Sequence, residues 1–130
     1  MKFDYVDIRG KFLPIVPLEI KGKDDWIQFH VFVDTGASQS IFNVIFCEIL
    51  GVNLEEGERI SIMVGDGSFI PAFVHKIKVR FADKEFDANI GFSKRLGVEF
   101  NIMGRKDFFE NFVFSFNDYH RTLEVTEIVK

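Results

Sequence analysis

The sequence contains one cysteine, Cys47, and three histidines among its 130 residues, so the residue types that build disulfides and most metal centres are scarce. A single thiol excludes an intramolecular disulfide and is typical of proteins in the reducing cytoplasm. His30, His75 and His120 do not have the spacing of metal ligands. We therefore expect a fold that depends on its packed core, with no metal and no cofactor.

Long apolar runs and an excess of basic charge are missing as well. No stretch approaches the roughly 20 apolar residues that cross a bilayer, and residues 1–7 lack the apolar core of a signal peptide. The 20 acidic and 16 basic side chains give a net charge of −4, without a basic cluster. This composition argues against a nucleic-acid partner and predicts a cytoplasmic protein that binds no membrane.

Phenylalanine, in contrast, is abundant, with 17 residues, which indicates a Phe-rich core. The length predicts a single domain that spans residues 1–130. Short apolar runs separated by turn residues predict about nine strands, with short helices over residues 44–50 and 105–111. Two prolines within residues 12–20 place that strand at an edge or a bulge. The predicted fold class is all-β, a small closed barrel with one or two short helices.

The most informative stretch is an apolar strand that runs directly into an acid. Apolar and other side chains alternate over residues 26–33, as in a strand with one core face. A lone Asp-x-Gly after such a strand is most often a turn, in which the carboxylate accepts backbone N–H groups. The full string here occurs by chance in roughly one chain of this length in several thousand. It reads Asp34-Thr35-Gly36-Ala37-Ser38.

This string resembles the active-site loop of the aspartic proteases, in particular of their single-domain, retropepsin-like branch. Two further features of that family have matches in the same order along the chain. A glycine-tipped hairpin, the flap, is matched by residues 65–69, and the pair of apolar residues before a glycine is matched by Ile102-Met103-Gly104. The resemblance covers most of the chain and implies the fold of these proteases.

The continuation of the third motif, from Gly104 and Arg105 to Phe109, looks most like that of bacterial and archaeal members of the family. One departure concerns Arg105. Viral members often carry an acid shortly after the loop glycine, and this acid pairs with the arginine of the third motif. Ser38 and Gln39 occupy those positions here, so the partner of Arg105 is left open.

The resemblance implies an aspartic endopeptidase, in which two carboxylates hold a water molecule and share one proton. Because the chain contains one Asp-Thr-Gly, two chains of a homodimer would each supply Asp34. Thr35 would bond to its twin, and Gly36 would offer its carbonyl to an extended peptide or protein substrate. The implied substrate-binding residues are Ala37, Gly65, Asp66, Gly67, Ser68, Phe69, Ile70, Ile102 and Met103. The last four are apolar and could equally belong to the core.

Two other functions stay open at this point. The domain could be a protease-like binding or dimerisation module that has the fold without productive cleavage. It could also be an unrelated small β-barrel that binds a partner, with Asp34 serving only as a turn residue. Inhibition by a statine-type peptide separates the first of these from a protease, and a monomer without a symmetric pair of Asp34 side chains favours the second.

Overall fold

The computed structural model describes residues 1–63, 67–96 and 99–130, and the all-β class predicted from the sequence is confirmed there. These ranges contain twelve strands, one α-helix and one turn of 3-10 helix. The strands are β1 (Lys2–Asp4), β2 (Val6–Ile8), β3 (Lys11–Leu13), β4 (Ile15–Lys21), β5 (Trp26–Val33), β6 (Ser40–Asn43), β7 (Glu58–Met63), β8 (Phe69–Phe81), β9 (Lys84–Ser93), β10 (Asn101–Met103), β11 (Phe112–Asn117) and β12 (Thr122–Glu127). The helix α1 covers Phe46–Leu50, and the 3-10 turn covers Leu54–Glu56.

Six of the strands pair in a ring. β4, β5, β10, β6, β9 and β8 follow one another in the main sheet, and β8 pairs again with β4, where Glu19 lies opposite Arg80 and Ile20 opposite Val79. β7 extends the sheet from the first half of β8. Joining short strands in this way leaves few unpaired edges, which is how small all-β domains avoid exposing backbone polar groups.

The position of β10 in this ring brings two distant parts of the chain together. β10 runs parallel to β5, with Met103 opposite Val33, and antiparallel to β6, with Ile102 opposite Ile41. A parallel neighbour cannot come from an adjacent hairpin, because parallel pairing needs a long crossover. The pairing therefore places the segment after β10 beside the end of β5, where Asp34 begins.

The two ends of the described chain form a second sheet of three strands, in the order β1-β12-β11. The α-amino group of Met1 donates to the carbonyl oxygen of Val125 at 2.7 Å, and the N–H of Val125 donates back to Met1 at 2.8 Å. β12 thus has a paired neighbour on each edge. β2 and β3 form a separate hairpin.

One core cluster takes side chains from all six ring strands and from the terminal sheet. Its largest fully buried side chains are the rings of Phe42, Phe81, Phe92, Phe108 and Phe112, which confirms the predicted Phe-rich core. The rings meet mostly edge to face, as between Phe81 and Phe112 at 5.2 Å, which is a favoured geometry for aromatic pairs. Cys47 is buried beside them, and burial raises the pKa of its thiol. It serves as a small hydrophobe.

The second predicted helix is absent. Residues 105–111 form consecutive turns, because Asp107 adopts a φ of 70° and interrupts the helical backbone. Two hydrogen bonds with helical i→i−4 spacing remain, from the N–H of Phe109 to Arg105 at 2.9 Å and from the N–H of Phe112 to Phe108 at 3.0 Å. The first helix is shorter than predicted, since the side chain of Asn43 accepts from the N–H of Ile45 and caps a turn before α1.

Both prolines of the predicted edge strand lie where they cost little pairing. Pro14 falls between β3 and β4 and ends the first of them. Pro17 lies opposite His30 of β5, in the part of β4 that has no second neighbour. A proline without an N–H is tolerated at such positions because no ladder bond is lost on the open side.

Candidate active site

Asp34 occupies the first position after β5, and the neighbouring strand holds its backbone. Its N–H donates to the carbonyl oxygen of Met103 on β10 at 3.0 Å, and the N–H of Ala37 donates to Asp34 at 3.2 Å. The carboxylate is also held, since Oδ1 accepts the N–H of Gly36 at 2.9 Å. This is the side-chain turn that an isolated Asp-x-Gly predicts, and it orients the carboxylate.

The segment after β10 binds the loop that follows Asp34. The N–H of Arg105 donates to the carbonyl of Ala37 at 2.8 Å, and the N–H of Lys106 donates to Ser38 at 3.0 Å. The first and third motifs of the sequence are therefore joined by backbone hydrogen bonds. For Arg105, whose partner the sequence left open, the structure shows a bond from the backbone N–H to this loop.

Two glycines permit these close approaches. A Cβ at Gly104 would lie 2.5 Å from the carbonyl carbon of Gln39, and the N–H of Gly104 donates to the buried hydroxyl of Ser40 at 2.9 Å. A Cβ at Gly36 would lie 3.3 Å from Oδ1 of Asp34. The first contact excludes any side chain without a backbone shift, whereas the second leaves only a tight fit.

The Asp34 loop reaches the surface beside a cleft of about 540 Å³. Asp34 and Ala37 are half-buried, and Thr35 and Gly36 are exposed. The walls of the cleft are mostly aromatic or apolar, a composition that suits an organic ligand or a peptide side chain. The apolar lining residues are Phe12, Leu13, Pro14, Phe32, Val33 and Phe116.

The same cleft contains three polar side chains that the sequence analysis did not identify. Tyr5 donates its hydroxyl to Oδ1 of Asp118 at 2.7 Å. Burial, followed by this hydrogen bond and the charge of Asp118, raises the pKa of Tyr5 to about 12. The guanidinium of Arg121 lies 3.6 Å from the centre of the Phe12 ring, as a cation–π pair. No local pattern marks these residues, because the turn between β11 and β12 is brought to the loop only by the terminal sheet.

The predicted flap corresponds to the hairpin of β7 and β8, in which Met63 lies opposite Phe69. Gly65 and Asp66, two of the predicted substrate-binding residues, lie outside the described residues. Gly67 has a φ of 86°, and among the described residues nothing beyond its chain neighbours lies within 4 Å of the place of a Cβ. Ser68, like Gly67 and Phe69, is exposed.

The four apolar candidates differ in burial. Phe69 is 60% exposed, whereas Ile70 is buried in a small cluster with Ile62 and Ala72 of the same hairpin. Ile102 is buried, and Met103 has no exposed surface and belongs to the larger core cluster. In the single chain, three of the four are thus packed as core residues, the alternative that the sequence left open.

The guanidinium of Arg105 is exposed and forms no ion pair within residues 1–63, 67–96 and 99–130. Over the same ranges, no group of three or more His, Cys, Asp or Glu side chains is arranged to hold a metal ion. The one α-helix described there is far too short for a membrane span, and no other helix in this part of the chain is long and apolar enough for one.

No protein-family model matches the sequence. No curated protein matches it either. Solved structures do match, among them the EIAV protease complexed with the inhibitor HBY-793, with a TM-score of 0.54 and 17% sequence identity. The alignment covers 77% of this chain and 88% of that chain. The chain therefore has a retropepsin-like fold, shared with a retroviral protease.

Proposed function

We propose that the protein is an aspartic endopeptidase that acts as a homodimer. The observation that carries the proposal is the setting of Asp34. A half-buried carboxylate, oriented by the N–H of Gly36 and backed by the segment after Gly104, opens on an apolar cleft in a retropepsin-like fold. A turn residue alone would need neither the third motif behind it nor the cleft in front of it.

In the proposed reaction, two Asp34 carboxylates from the two chains hold one water molecule and one proton between them. The unprotonated carboxylate takes a proton from the water as its oxygen attacks the peptide carbonyl carbon, and the protonated one donates to the carbonyl oxygen. The tetrahedral intermediate then collapses: the C–N bond breaks, the amine leaves with a proton from the carboxyl group that took it from the water, and the other carboxylate takes a hydroxyl proton from the intermediate as the C=O bond re-forms, so that the pair again holds one proton. No covalent link to the enzyme forms.

The second chain is needed because one chain supplies one Asp-Thr-Gly. A two-fold axis through the site lets the same loop meet its own copy, as an isologous interface requires. Thr35 is proposed to bond across this axis, and Gly36 to present its carbonyl to the substrate backbone. Both are exposed in the single chain, as such roles need.

The terminal sheet offers a candidate for the rest of the interface. β12 is paired on both edges, so the edge left for an added strand in this sheet belongs to β11 or β1. The carbonyl oxygen of Asn111 accepts the N–H of Ile128, so the backbone groups of Asn111 face β12. Because the direction of these groups alternates along a strand, those of Phe114 and Phe116 face the outer edge of β11. β11 contains no charge and no proline, the usual protections of an edge strand. We propose that this edge pairs with its copy.

The substrate is proposed to be an extended peptide that lies between the Asp34 loop and the flap. The cleft beside Asp34 accepts a side chain of that peptide, and its apolar walls favour a large apolar one. The proposed contacts are Ala37, Gly65, Asp66, Gly67, Ser68, Phe69, Ile70, Ile102 and Met103. For Met103, which is fully buried, the proposed role is support of the site from behind.

The finer classification is proposed on the third motif. The run from Gly104 to Phe109 favours a bacterial or archaeal type of member over a viral one. The charge balance and the single cysteine favour a cytoplasmic protein whose partners are peptides and a second copy of itself, with neither nucleic acid nor membrane among them.

The decisive test is cleavage of a diverse peptide library by purified protein, read by mass spectrometry, with Asp34→Asn as the matched variant. We expect the wild type to cut internal peptide bonds and the variant to cut none. Cleavage that a statine-type peptide blocks supports the two-carboxylate chemistry. A dimer that binds the statine-type peptide and cuts nothing would instead support the protease-like binding module.

A further inference from the structure

Gln39 is one of three buried polar side chains in the described chain, and it lies in the loop that follows Asp34. Its amide Nε2 donates to the carbonyl oxygen of Asn89 on β9 at 2.6 Å and, less closely, to Ser40 at 3.3 Å. A buried amide has to satisfy its donors, and Gln39 does so by linking the loop to a strand on the far side of β6.

Asn89 is in turn hydrogen-bonded to Asp107. Its backbone N–H and its side-chain Nδ2 both donate to Oδ2 of Asp107, at 2.7 and 3.0 Å. Bonds to an ionised carboxylate are stronger than those between neutral groups. Asp107 holds this position with a φ of 70°, a backbone conformation that aspartate adopts more readily than most residues.

The link then returns to the loop from which it started. Lys106, the residue before Asp107, donates its N–H to Ser38, immediately before Gln39. Both ends of the chain of bonds therefore act on one short stretch of backbone. Arg105 contributes only its N–H, which donates to Ala37, while its guanidinium stays exposed.

We propose that Gln39, Asn89 and Asp107 form a positioning relay that holds the Asp34 loop against the segment after β10. None of the three touches the cleft, so they are positioning residues and not catalytic ones. The carboxylate of Asp107 supplies the charge that makes the relay rigid. Its effect on turnover rests on the proposed function, but its effect on the loop does not.

Amide hydrogen exchange measures the loop directly. In Gln39→Met, which keeps the side-chain length without the amide, and in Asp107→Asn, which keeps the backbone preference without the charge, we expect faster exchange at Ala37, Arg105 and Lys106. The factor should be about tenfold, as for the loss of one hydrogen bond in a local opening. Amides of β8, which contributes no residue to the relay, serve as the internal reference.

If the three residues act in series, breaking either link should release the same loop, and the effects of the two variants should not add. The double variant should exchange no faster at these amides than the faster single variant. The matched control is Asp87→Asn, on the same strand as Asn89 and paired with Lys78 at the surface, which should leave the loop unchanged. If the loop amides keep wild-type exchange, or accelerate only together with the reference amides, the relay is wrong.

Turnover adds a second readout. If the wild type cleaves peptides, both variants should lower kcat about tenfold with little change in KM, since a loosened loop affects the reacting groups more than the cleft. An unchanged kcat with altered loop exchange would contradict the positioning role. If the wild type cleaves nothing, the proposed function fails, and the exchange data still decide whether the relay exists.

Discussion

At the scale of single residues, Asp34 is the side chain on which the proposed chemistry depends. Asp34→Asn keeps the shape of the residue and can still accept the N–H of Gly36, but the pair can no longer exchange a proton with water. We expect peptide cleavage to fall by at least about 100-fold while the free energy of unfolding changes by less than about 1 kcal/mol. Steady-state kinetics and urea denaturation measure the two quantities.

The control for this variant is Asp87→Asn, an exposed aspartate on β9 that lies away from the cleft. It should keep wild-type kcat/KM and stability. Retention of most activity by Asp34→Asn would rule out the aspartic-protease mechanism.

Gly104 is a position where a side chain would collide with rigid backbone. In Gly104→Ala, the new Cβ would meet the backbone of Gln39 at 2.5 and 2.6 Å, so the two segments have to separate. We expect a loss of about 3 kcal/mol in the free energy of unfolding, the upper range for overpacking. Gly91→Ala is the matched comparison, because its nearest contact, the carbonyl of Ser40, is at 3.2 Å. Equal losses for both variants would show that this close approach does not matter.

Tyr5 predicts a dependence of stability on alkaline pH. Burial raises its pKa to about 12, with help from the hydrogen bond and the charge of Asp118. An unfolded tyrosine titrates near pH ~10, so the folded chain binds more protons above that value. The contribution of Tyr5 is therefore complete below pH ~10 and is lost as the pH rises toward 12.

Tyr5→Phe should remove this dependence. We expect its free energy of unfolding to fall less steeply than that of the wild type between about pH 10 and pH 12, by urea denaturation. Tyr119→Phe, at the other tyrosine, which is 84% exposed, is the control and should follow the wild type. Parallel curves for the wild type and Tyr5→Phe would contradict the stated role of burial.

At the scale of elements, the hairpin of β7 and β8 is predicted to open and close over the substrate. The described pair nearest its tip, Met63 and Phe69, is exposed, whereas the next pair, Ile62 and Ile70, is buried. Amides 67–70 should therefore exchange faster than those of residues 29–33 in the ring. Equal protection of the two segments would argue against an opening flap.

Gly67→Val tests the same element through turnover. Both Gly67 and Gly10 have a φ of 86° and open space around the site of a Cβ, so valine introduces similar backbone strain at either position. We expect similar losses of stability, but a fall in kcat/KM only for Gly67→Val, because only that turn belongs to the proposed flap. Peptide cleavage and denaturation of the two variants give the comparison.

At the scale of the whole molecule, the proposal requires a dimer whose interface includes the outer edge of β11. Replacing Val113 and Ser115 together by lysine places like charges close to their copies across a two-fold axis. We expect sedimentation to change from twice the chain mass to the chain mass, with loss of cleavage. The double threonine variant at the same positions, without charge, should remain a dimer. An active monomer would contradict the proposed assembly.

The sequence alone was sufficient for features that depend on neighbouring residues. The alternation over residues 26–33 predicts β5, and the acid that ends it predicts the turn at Asp34, because strand faces and Asx turns are set within a few residues. The order of three short motifs was enough to suggest a retropepsin-like fold, which the likeness to a solved retroviral protease supports. The second predicted helix failed because Asp107 serves a distant contact at Asn89, which no local pattern reveals.

Tertiary structure alone decided what lies around the loop. The pairing of β10 with β5 brings Gly104 against Gln39, and the terminal sheet brings Asp118 and Arg121 to the cleft. These contacts join residues far apart in the chain, and their geometry depends on how the ring of strands closes. Met103 shows the limit most clearly: its place before the glycine suggested a pocket wall or the core, and only packing puts it fully inside. The sequence determines the chemistry of each side chain, whereas the pairing of the strands determines which side chains come into contact.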